Sequence, residues 1–153
     1  MEKFLVSLEN ASRTLQMADH ITYMTYPLLK EKRLLIRILQ QIYVVVSSIV
    51  NVILQYEYYY KRIQLYTSGK ENFETFKKCA KRYGITEEEI KNILKIFVLI
   101  EKHKESPLEF VRKEKFVILS DNLRTETITI DNLKEYLATT KNLLKKASMF
   151  IKK

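Results

Sequence analysis

The chain has 153 residues, of which 46% are hydrophobic and 29% charged, with only two glycines and two prolines. Its mass of 18.3 kDa and this composition fit one globular domain and exclude a disordered or collagen-like chain. So few glycines also argue against a β-sandwich and against a nucleotide-binding fold with glycine-rich loops. The formal net charge of +9 favours an anionic partner and carries no information about the fold.

Periodicity of apolar side chains predicts a first helix at the start of the chain. Apolar or small residues recur every three or four positions from Phe4 to Thr25, which places them on one face of a helix. We expect this helix to end at Tyr26-Pro27, because the residue before a proline is disfavoured in the α conformation.

A longer periodic series predicts the central helix. Ten positions from Leu35 to Tyr66 step by three and four, which indicates a helix over about 30–66, roughly 55 Å long. Its most apolar run, Ile42–Leu54, is shorter than the roughly 20 residues that a membrane span needs. We interpret it as a helix buried among others or in a homodimer core, and we expect no membrane partner.

Turn and capping signals predict two further helices. Thr67-Ser68-Gly69 indicates a turn before a short helix at about 71–83, with Gly84 just beyond its end. Thr86 and Glu89 have the spacing of a capping box, which predicts a helix that stops at Ser106-Pro107.

The remainder of the chain predicts two strands and a last helix. Phe116–Leu119 and Thr127–Ile130 have strand character and suggest a small β-hairpin at about 115–130, after which Asp131 caps a helix. The sequence therefore predicts an all-α fold, an up-and-down bundle of about five helices with this hairpin inserted before the last one. Residues 1–153 form a single domain in this interpretation.

The lone cysteine, Cys79, excludes an internal disulfide and favours a reducing compartment. Its amphipathic surroundings predict a buried structural thiol. The first residues lack a basic region followed by an apolar core, so no secretory signal is predicted and we expect a cytoplasmic protein.

Most common enzyme chemistries lack their motifs in this sequence. The two histidines and the cysteine are well separated and match no metal-ligand spacing, so we predict no metal and no cofactor. Gly69 and Gly84 each stand alone, which disfavours a loop that cradles phosphates, and no Gly-x-Ser-x-Gly elbow is present.

Arg13 and His20 are the candidate catalytic residues. They lie seven positions apart, so they share one face of the first predicted helix, opposite its apolar stripe. In RNA cleavage, a histidine serves as general acid or base and an arginine stabilises the charged phosphorane. The alternative is a solvated pair without a catalytic role.

The segment Ala11–His20, followed by a long helix with Tyr43, Ser47 and Ser48, resembles the first two helices of HEPN domains. The resemblance covers about residues 4–66 and the final helix, and it implies a mostly antiparallel helical bundle, often dimeric. Many members of that superfamily are metal-independent ribonucleases with an Arg-x(4–6)-His motif in a later helix, and others are inactive binding modules. Residues 106–122 are also similar to a segment of small archaeal proteins of unassigned function, and the composition resembles that of thermophile proteins.

Basic residues are the second lead to function. Two clusters are candidates for nucleic-acid binding: Lys77, Lys78, Lys81 and Arg82 in the third predicted helix, and Arg112, Lys113 and Lys115 before the hairpin, with Phe110 and Phe116 interleaved. Converging clusters would contact several phosphates, and each contact adds salt-dependent affinity. The alternative is a solvated surface with local ion pairs such as that between Glu74 and Lys78.

The tyrosine-rich run 56–62 has side chains that can stack on nucleic-acid bases. Tyr56 and Tyr59 fall on the predicted core stripe, so packing is the favoured interpretation for these two. Tyr58 and Tyr60 are freer to lie at an interface.

Three functions follow as hypotheses. The first is a helical binding or assembly module with a basic surface, associated with RNA or another polyanion. The second is a metal-independent HEPN-type ribonuclease that uses Arg13 and His20. The third is a structural homodimer without a nucleic-acid role, which the long apolar helix favours.

Overall fold

The computed structural model describes residues 2–106, 108–112, 114–120 and 124–152, and most of them are helical. Five helices of twelve residues or more and one small antiparallel sheet lie in this described part of the chain. The helices are α1 (Glu2–His20), α2 (Tyr26–Leu29), α3 (Arg33–Tyr59), α4 (Gly69–Ala80), α5 (Glu87–Glu105) and α6 (Ile130–Ile151), and the strands are β1 (Leu108–Arg112), β2 (Lys115–Leu119) and β3 (Thr125–Ile128). The predicted helical fold is confirmed, but the sheet has a third strand beyond the predicted hairpin.

The first helical segment continues past the predicted end at Tyr26-Pro27. A π-helical turn, Ile21–Thr25, joins α1 directly to α2, and Pro27 lies in the first turn of α2. Pro27 has no N–H to donate, and it directly follows the π turn, where the α-helical hydrogen-bond ladder is already interrupted because the Tyr26 N–H donates to the Ile21 carbonyl five residues back. The segment ends at Lys30, which adopts a left-handed conformation with φ of 50°.

The central helix α3 is shorter than the predicted 30–66. After Tyr59 the chain turns at Lys61, whose φ of 60° is left-handed. The backbone N–H of Lys61 donates to the carbonyl of Tyr58, and that of Arg62 donates to the carbonyl of Glu57. These two bonds form a Schellman motif, which satisfies carbonyls that the end of the helix leaves free.

Helix α3 forms the centre of the core, and the other helices pack around it. Ring contacts of Phe4 and Phe150 with Tyr56, at centroid distances of 5.5 and 6.1 Å, show that α1 runs antiparallel to α3 and α6 parallel to it. α5 is antiparallel, because His103 near its end lies beside Gln40 near the start of α3. α4 begins near the middle of α3 and ends near its carboxyl end, so these consecutive helices run in the same direction and the predicted up-and-down order is wrong at this point.

By length and composition, α3 is the one helix in the described residues that could cross a membrane. More than half of its most apolar stretch, 56%, is buried inside the protein. That burial is typical of the core helix of a globular domain.

The three strands pair in the order β1-β2-β3. The alternation of side chains directs Phe116, Ile118 and Ile128 into the core, where each is almost completely buried. The opposite, outer face carries Phe110, Arg112, Lys115, Val117, Thr125 and Thr127. The sequence does not predict strand β1, because this edge strand has mostly exposed residues and lacks an alternating pattern of buried apolar residues.

Helix α6 begins two residues earlier than the predicted cap implies. Thr129, and not Asp131, is the N-cap residue, and its hydroxyl accepts a hydrogen bond from the backbone N–H of Asn132 at 3.2 Å. Asp131 lies in the first turn, where its charge still favours the positive end of the helix dipole.

The predicted capping box of α5 is confirmed, and its glutamate also pairs with a lysine of α6. The Thr86 hydroxyl accepts from the Glu89 N–H at 3.1 Å, and the Glu89 carboxylate accepts from the Thr86 N–H at 3.0 Å. Lys146 of α6 forms an ion pair with the same carboxylate. Burial by itself would raise the pKa of Glu89, but the hydrogen bonds from Lys146 and Thr86 outweigh it and hold the pKa below its ordinary value of 4.5.

We expect Glu89→Gln to lower stability near neutral pH and to lose this effect in acid. A carboxyl whose pKa is lowered by folding stabilises the protein above its unfolded pKa, and this contribution disappears as pH falls through the folded pKa. The difference in free energy of unfolding between wild type and variant, measured by urea titration, should therefore shrink below about pH 4. The exposed neighbour Glu88, changed to Gln, is the control, and a difference independent of pH would contradict the prediction.

Candidate nucleic-acid interface

The two predicted basic clusters lie at opposite ends of α3. Arg82, just beyond α4, contacts Glu57 near the carboxyl end of α3. The turn between β1 and β2 contacts Lys32, which directly precedes α3, through an ion pair of 2.8 Å with Glu114. At 1.5 Å per residue, the helix separates these contacts by about 37 Å, so the clusters do not converge on one face.

The members of the first cluster differ in their surroundings. Glu74 forms an ion pair of 2.9 Å with Lys77. The sequence pattern predicts Lys78 as its partner. Lys78 and Lys81 are exposed, whereas Arg82 is held by Glu57. The exposed positive charge of this cluster is therefore smaller than the sequence suggests.

In the second cluster, Arg112 and Lys115 are directly opposite each other in β1 and β2. They share the outer face of the sheet with Phe110, above a shallow cavity of about 320 Å³. Phe116 lies on the other face and is only 1% exposed, so it cannot interleave with these cations. Lys113 lies outside the described residues.

Arg13 and His20, the candidate catalytic pair, are both exposed on α1. The guanidinium of Arg13 donates to the carboxylate of Glu9 at 2.9 Å. The two side chains are two turns apart, about 10 Å along the helix axis. Their spacing on one helix is as predicted, and their role in catalysis stays a prediction.

A larger cleft, of about 570 Å³, lies where α1 begins and α3 ends. We call it the tyrosine cleft. It is lined by residues from the start of α1, the last turns of α3 and the segment that follows: Lys3, Phe4, Gln55, Tyr58, Tyr59, Lys61, Ile63 and Gln64.

The tyrosines of this cleft are available to a ligand. Tyr58 is 53% exposed and Tyr59 is 61% exposed. The prediction that Tyr59 packs in the core is wrong, because α3 ends at this residue and its ring stays mostly exposed, whereas Tyr56 is buried as predicted. Edge-to-face contacts of the Tyr59 ring with Phe4 at 6.1 Å and with Tyr60 at 5.1 Å fix its position.

The polar residues of the cleft complement these rings. Lys3 and Lys61 supply ammonium groups from two different segments, and Gln55 and Gln64 supply amides. No carboxylate is among the described residues that line the cleft. Exposed rings stack on bases, ammonium groups attract phosphates, and amides hydrogen-bond to base edges.

A buried ionic network lies behind the cleft. The carboxylate of Glu57 is completely buried and accepts from Arg62 Nε at 2.9 Å, while Arg82 contacts its second oxygen. The hydroxyl of Tyr83 donates to Glu57 Oε2, the oxygen that Arg62 also contacts, at 3.4 Å. Because Arg62 directly follows Lys61, this network holds the turn that presents the Lys61 ammonium group to the cleft.

The pKa values around the network follow from its charges and its burial. The hydrogen bond that Arg62 donates to Glu57 raises the pKa of Arg62, so this guanidinium stays charged. Burial raises the pKa of the Tyr83 hydroxyl, and the negative charge of Glu57 adds to that effect. Burial, reinforced by Glu57, also raises the pKa of the Cys79 thiol, which fits the predicted structural role for this cysteine.

The sequence pattern predicts neither the buried network around Glu57 nor the tyrosine cleft. One feature of the sequence did indicate such a network: Glu57 lies in the apolar central helix, and a carboxylate that is buried there needs a cationic partner. The partner Arg82 is 25 positions away, and periodicity does not predict which helix end it approaches. Among the described residues, no group of three or more His, Cys, Asp and Glu side chains could hold a metal ion.

Comparison of the chain with protein-family models, with curated proteins and with solved structures found no match. The resemblance to HEPN domains therefore stays a prediction. A function has to be inferred from the chemistry of the tyrosine cleft itself.

Proposed function

We propose that the protein is a binding module for single-stranded RNA and that the tyrosine cleft is its binding site. The observation that carries this proposal is the pair of exposed rings, Tyr58 and Tyr59, in a cleft whose described lining residues include two lysines and no carboxylate. Its volume of about 570 Å³ lies within the range of ligand-binding pockets.

Unpaired bases suit this cleft better than a duplex. A tyrosine ring stacks on the face of a base, and a duplex covers those faces with neighbouring base pairs. Stacking of one base on an aromatic side chain is worth about 1–3 kcal/mol. Two exposed rings thus supply affinity that depends little on sequence, and Gln55 and Gln64 add hydrogen bonds to base edges.

The charges in and around the cleft support an anionic ligand. Lys3 and Lys61 are each able to neutralise one phosphate of a strand that passes the tyrosines. The buried carboxylate of Glu57 is matched by two guanidinium groups, Arg62 and Arg82, so this end of the bundle keeps its positive charge. The binding should weaken as salt concentration rises, because each phosphate contact releases counterions.

We expect the double variant Tyr58→Ala/Tyr59→Ala to bind a fluorescein-labelled single-stranded RNA at least about 30-fold more weakly than wild type, because it loses two stacking surfaces. Fluorescence anisotropy over a salt series measures the affinity. Tyr66→Ala, at another exposed tyrosine outside the cleft lining, is the matched control and should bind like wild type. Lys3→Gln/Lys61→Gln should reduce the slope of log affinity against log salt by about 1.4.

Other outcomes would assign the function differently. Unchanged affinity in the tyrosine variant would overturn the proposal, and loss of affinity in Arg112→Gln/Lys115→Gln alone would place RNA on the sheet. Shortening of the RNA that disappears in His20→Ala would support the ribonuclease hypothesis. Equal affinity for DNA of the same sequence would widen the ligand class to single strands in general.

A further inference from the structure

The last two residues of α2 are adjacent leucines that face solvent. Leu28 is 82% exposed and Leu29 is 65% exposed, the two largest values among the large hydrophobic residues described. Met24, one turn earlier, is also exposed. Isolated apolar residues are common on protein surfaces, but a contiguous group of them marks a contact site.

Positive charge surrounds this pair of leucines. Lys30 follows them directly, Arg33 lies three positions further along the chain, and both are exposed. The ion pair between Lys32 and Glu114 holds the β1–β2 turn against the same end of the bundle. Together, residues 30–33, 112, 114 and 115 contain five cations and two carboxylates, and one of these carboxylates is bound by Lys32.

We propose that this end of the protein docks on an anionic lipid bilayer, with Leu28 and Leu29 inserted at the headgroup boundary. Apolar side chains at the tip and basic residues around them are the combination that binds such a surface. The proposal differs from the expectation of no membrane partner. It is independent of the tyrosine cleft, which lies at the other end of α3.

The small size of the apolar patch, which consists of Met24, Leu28 and Leu29, favours a lipid surface over a protein partner. Three exposed side chains offer much less than the roughly 800 Å² per partner of a stable protein interface. The patch also lies at the end of the four-residue helix α2, and the basic residues around it are complementary to anionic headgroups. Insertion of a few side chains into a bilayer does not require a large flat surface.

Sedimentation with vesicles of phosphatidylcholine and phosphatidylglycerol tests the proposal. We expect Leu28→Ser/Leu29→Ser to reduce the fraction bound to anionic vesicles about tenfold or more, because the inserted apolar surface is lost. The net charge is unchanged, so association driven by charge alone would be unaffected. Met149→Ser removes another exposed apolar side chain, 58% exposed, near the end of α6 and should bind like wild type.

A tryptophan reporter gives a second, independent measurement. The chain contains no tryptophan, so Leu29→Trp introduces a single fluorophore at the proposed insertion point. Its emission should shift to shorter wavelength with anionic vesicles and stay unchanged with phosphatidylcholine alone. No shift, or unchanged sedimentation of the serine variant, would overturn the proposal.

Light scattering and two cross-control binding measurements also test the lipid proposal. If light scattering shows a wild-type dimer that Leu28→Ser/Leu29→Ser converts to a monomer, the patch is a contact between two copies and the lipid proposal fails. RNA affinity should be the same in this variant as in wild type, and vesicle binding should be the same in Tyr58→Ala/Tyr59→Ala. The two proposals can therefore fail separately.

Discussion

Replacing both Arg62 and Arg82 by methionine should lower the free energy of unfolding by about 3–5 kcal/mol, because it leaves a buried carboxylate without its cations. Glu57 is completely buried and receives ionic hydrogen bonds from both arginines. Tyr83, the third partner, offers only one long hydrogen bond of 3.4 Å, which does not compensate a full charge. Urea unfolding at neutral pH, followed by circular dichroism, measures the loss.

A triple variant separates the cost of an unpaired charge from the cost of lost packing. Glu57→Met/Arg62→Met/Arg82→Met removes the buried charge together with its partners. We expect it to be more stable than the double variant, since an apolar group of similar volume replaces a buried ion pair with little loss. Lys78→Met/Lys81→Met, which removes two exposed cations of the same region, is the control for net charge. Equal stability of double and triple variants would show that Glu57 does not depend on its arginines.

The central helix shows what hydrophobic periodicity predicts and what it does not. The apolar stripe from Leu35 to Tyr56 is buried as predicted, because burial of that stripe is the reason for the pattern. The same spacing continues through Ile63 and Tyr66, although the chain has already left the helix at Lys61. A left-handed residue is usually glycine, and a lysine in that position provides no sequence signal for the helix end.

The candidate site was only partly predictable for a related reason. Exposure of Tyr58 follows from its position beside the apolar stripe and was predicted correctly. Lys3 lies more than fifty positions from it in the sequence, and only the antiparallel packing of α1 on α3 brings it to the same cleft. The convergence of the two basic clusters was not predictable for the same reason, since the distance between Arg82 and Arg112 depends on the course of the chain between them.

The two phenylalanines of the sheet should differ strongly in their effect on stability. Phe116→Ala is expected to cost about 3–5 kcal/mol, because the ring is buried in the core and its removal leaves a cavity. Phe110→Ala is expected to cost about 1 kcal/mol or less, because that ring lies partly exposed on the outer face. The same substitution on two neighbouring strands is a matched comparison, and urea unfolding of both variants measures it.

This comparison also tests the register of the sheet. Side chains alternate between the two faces of a strand, so a shift of one residue would exchange the buried and exposed sets. Phe116 pairs opposite Val111 and Phe110 opposite Val117, which places the two rings on different faces. If Phe110→Ala proved the more destabilising change, Arg112 and Lys115 would face the core with it. Those two cations would then be lost from the surface that we propose to contact anionic lipid.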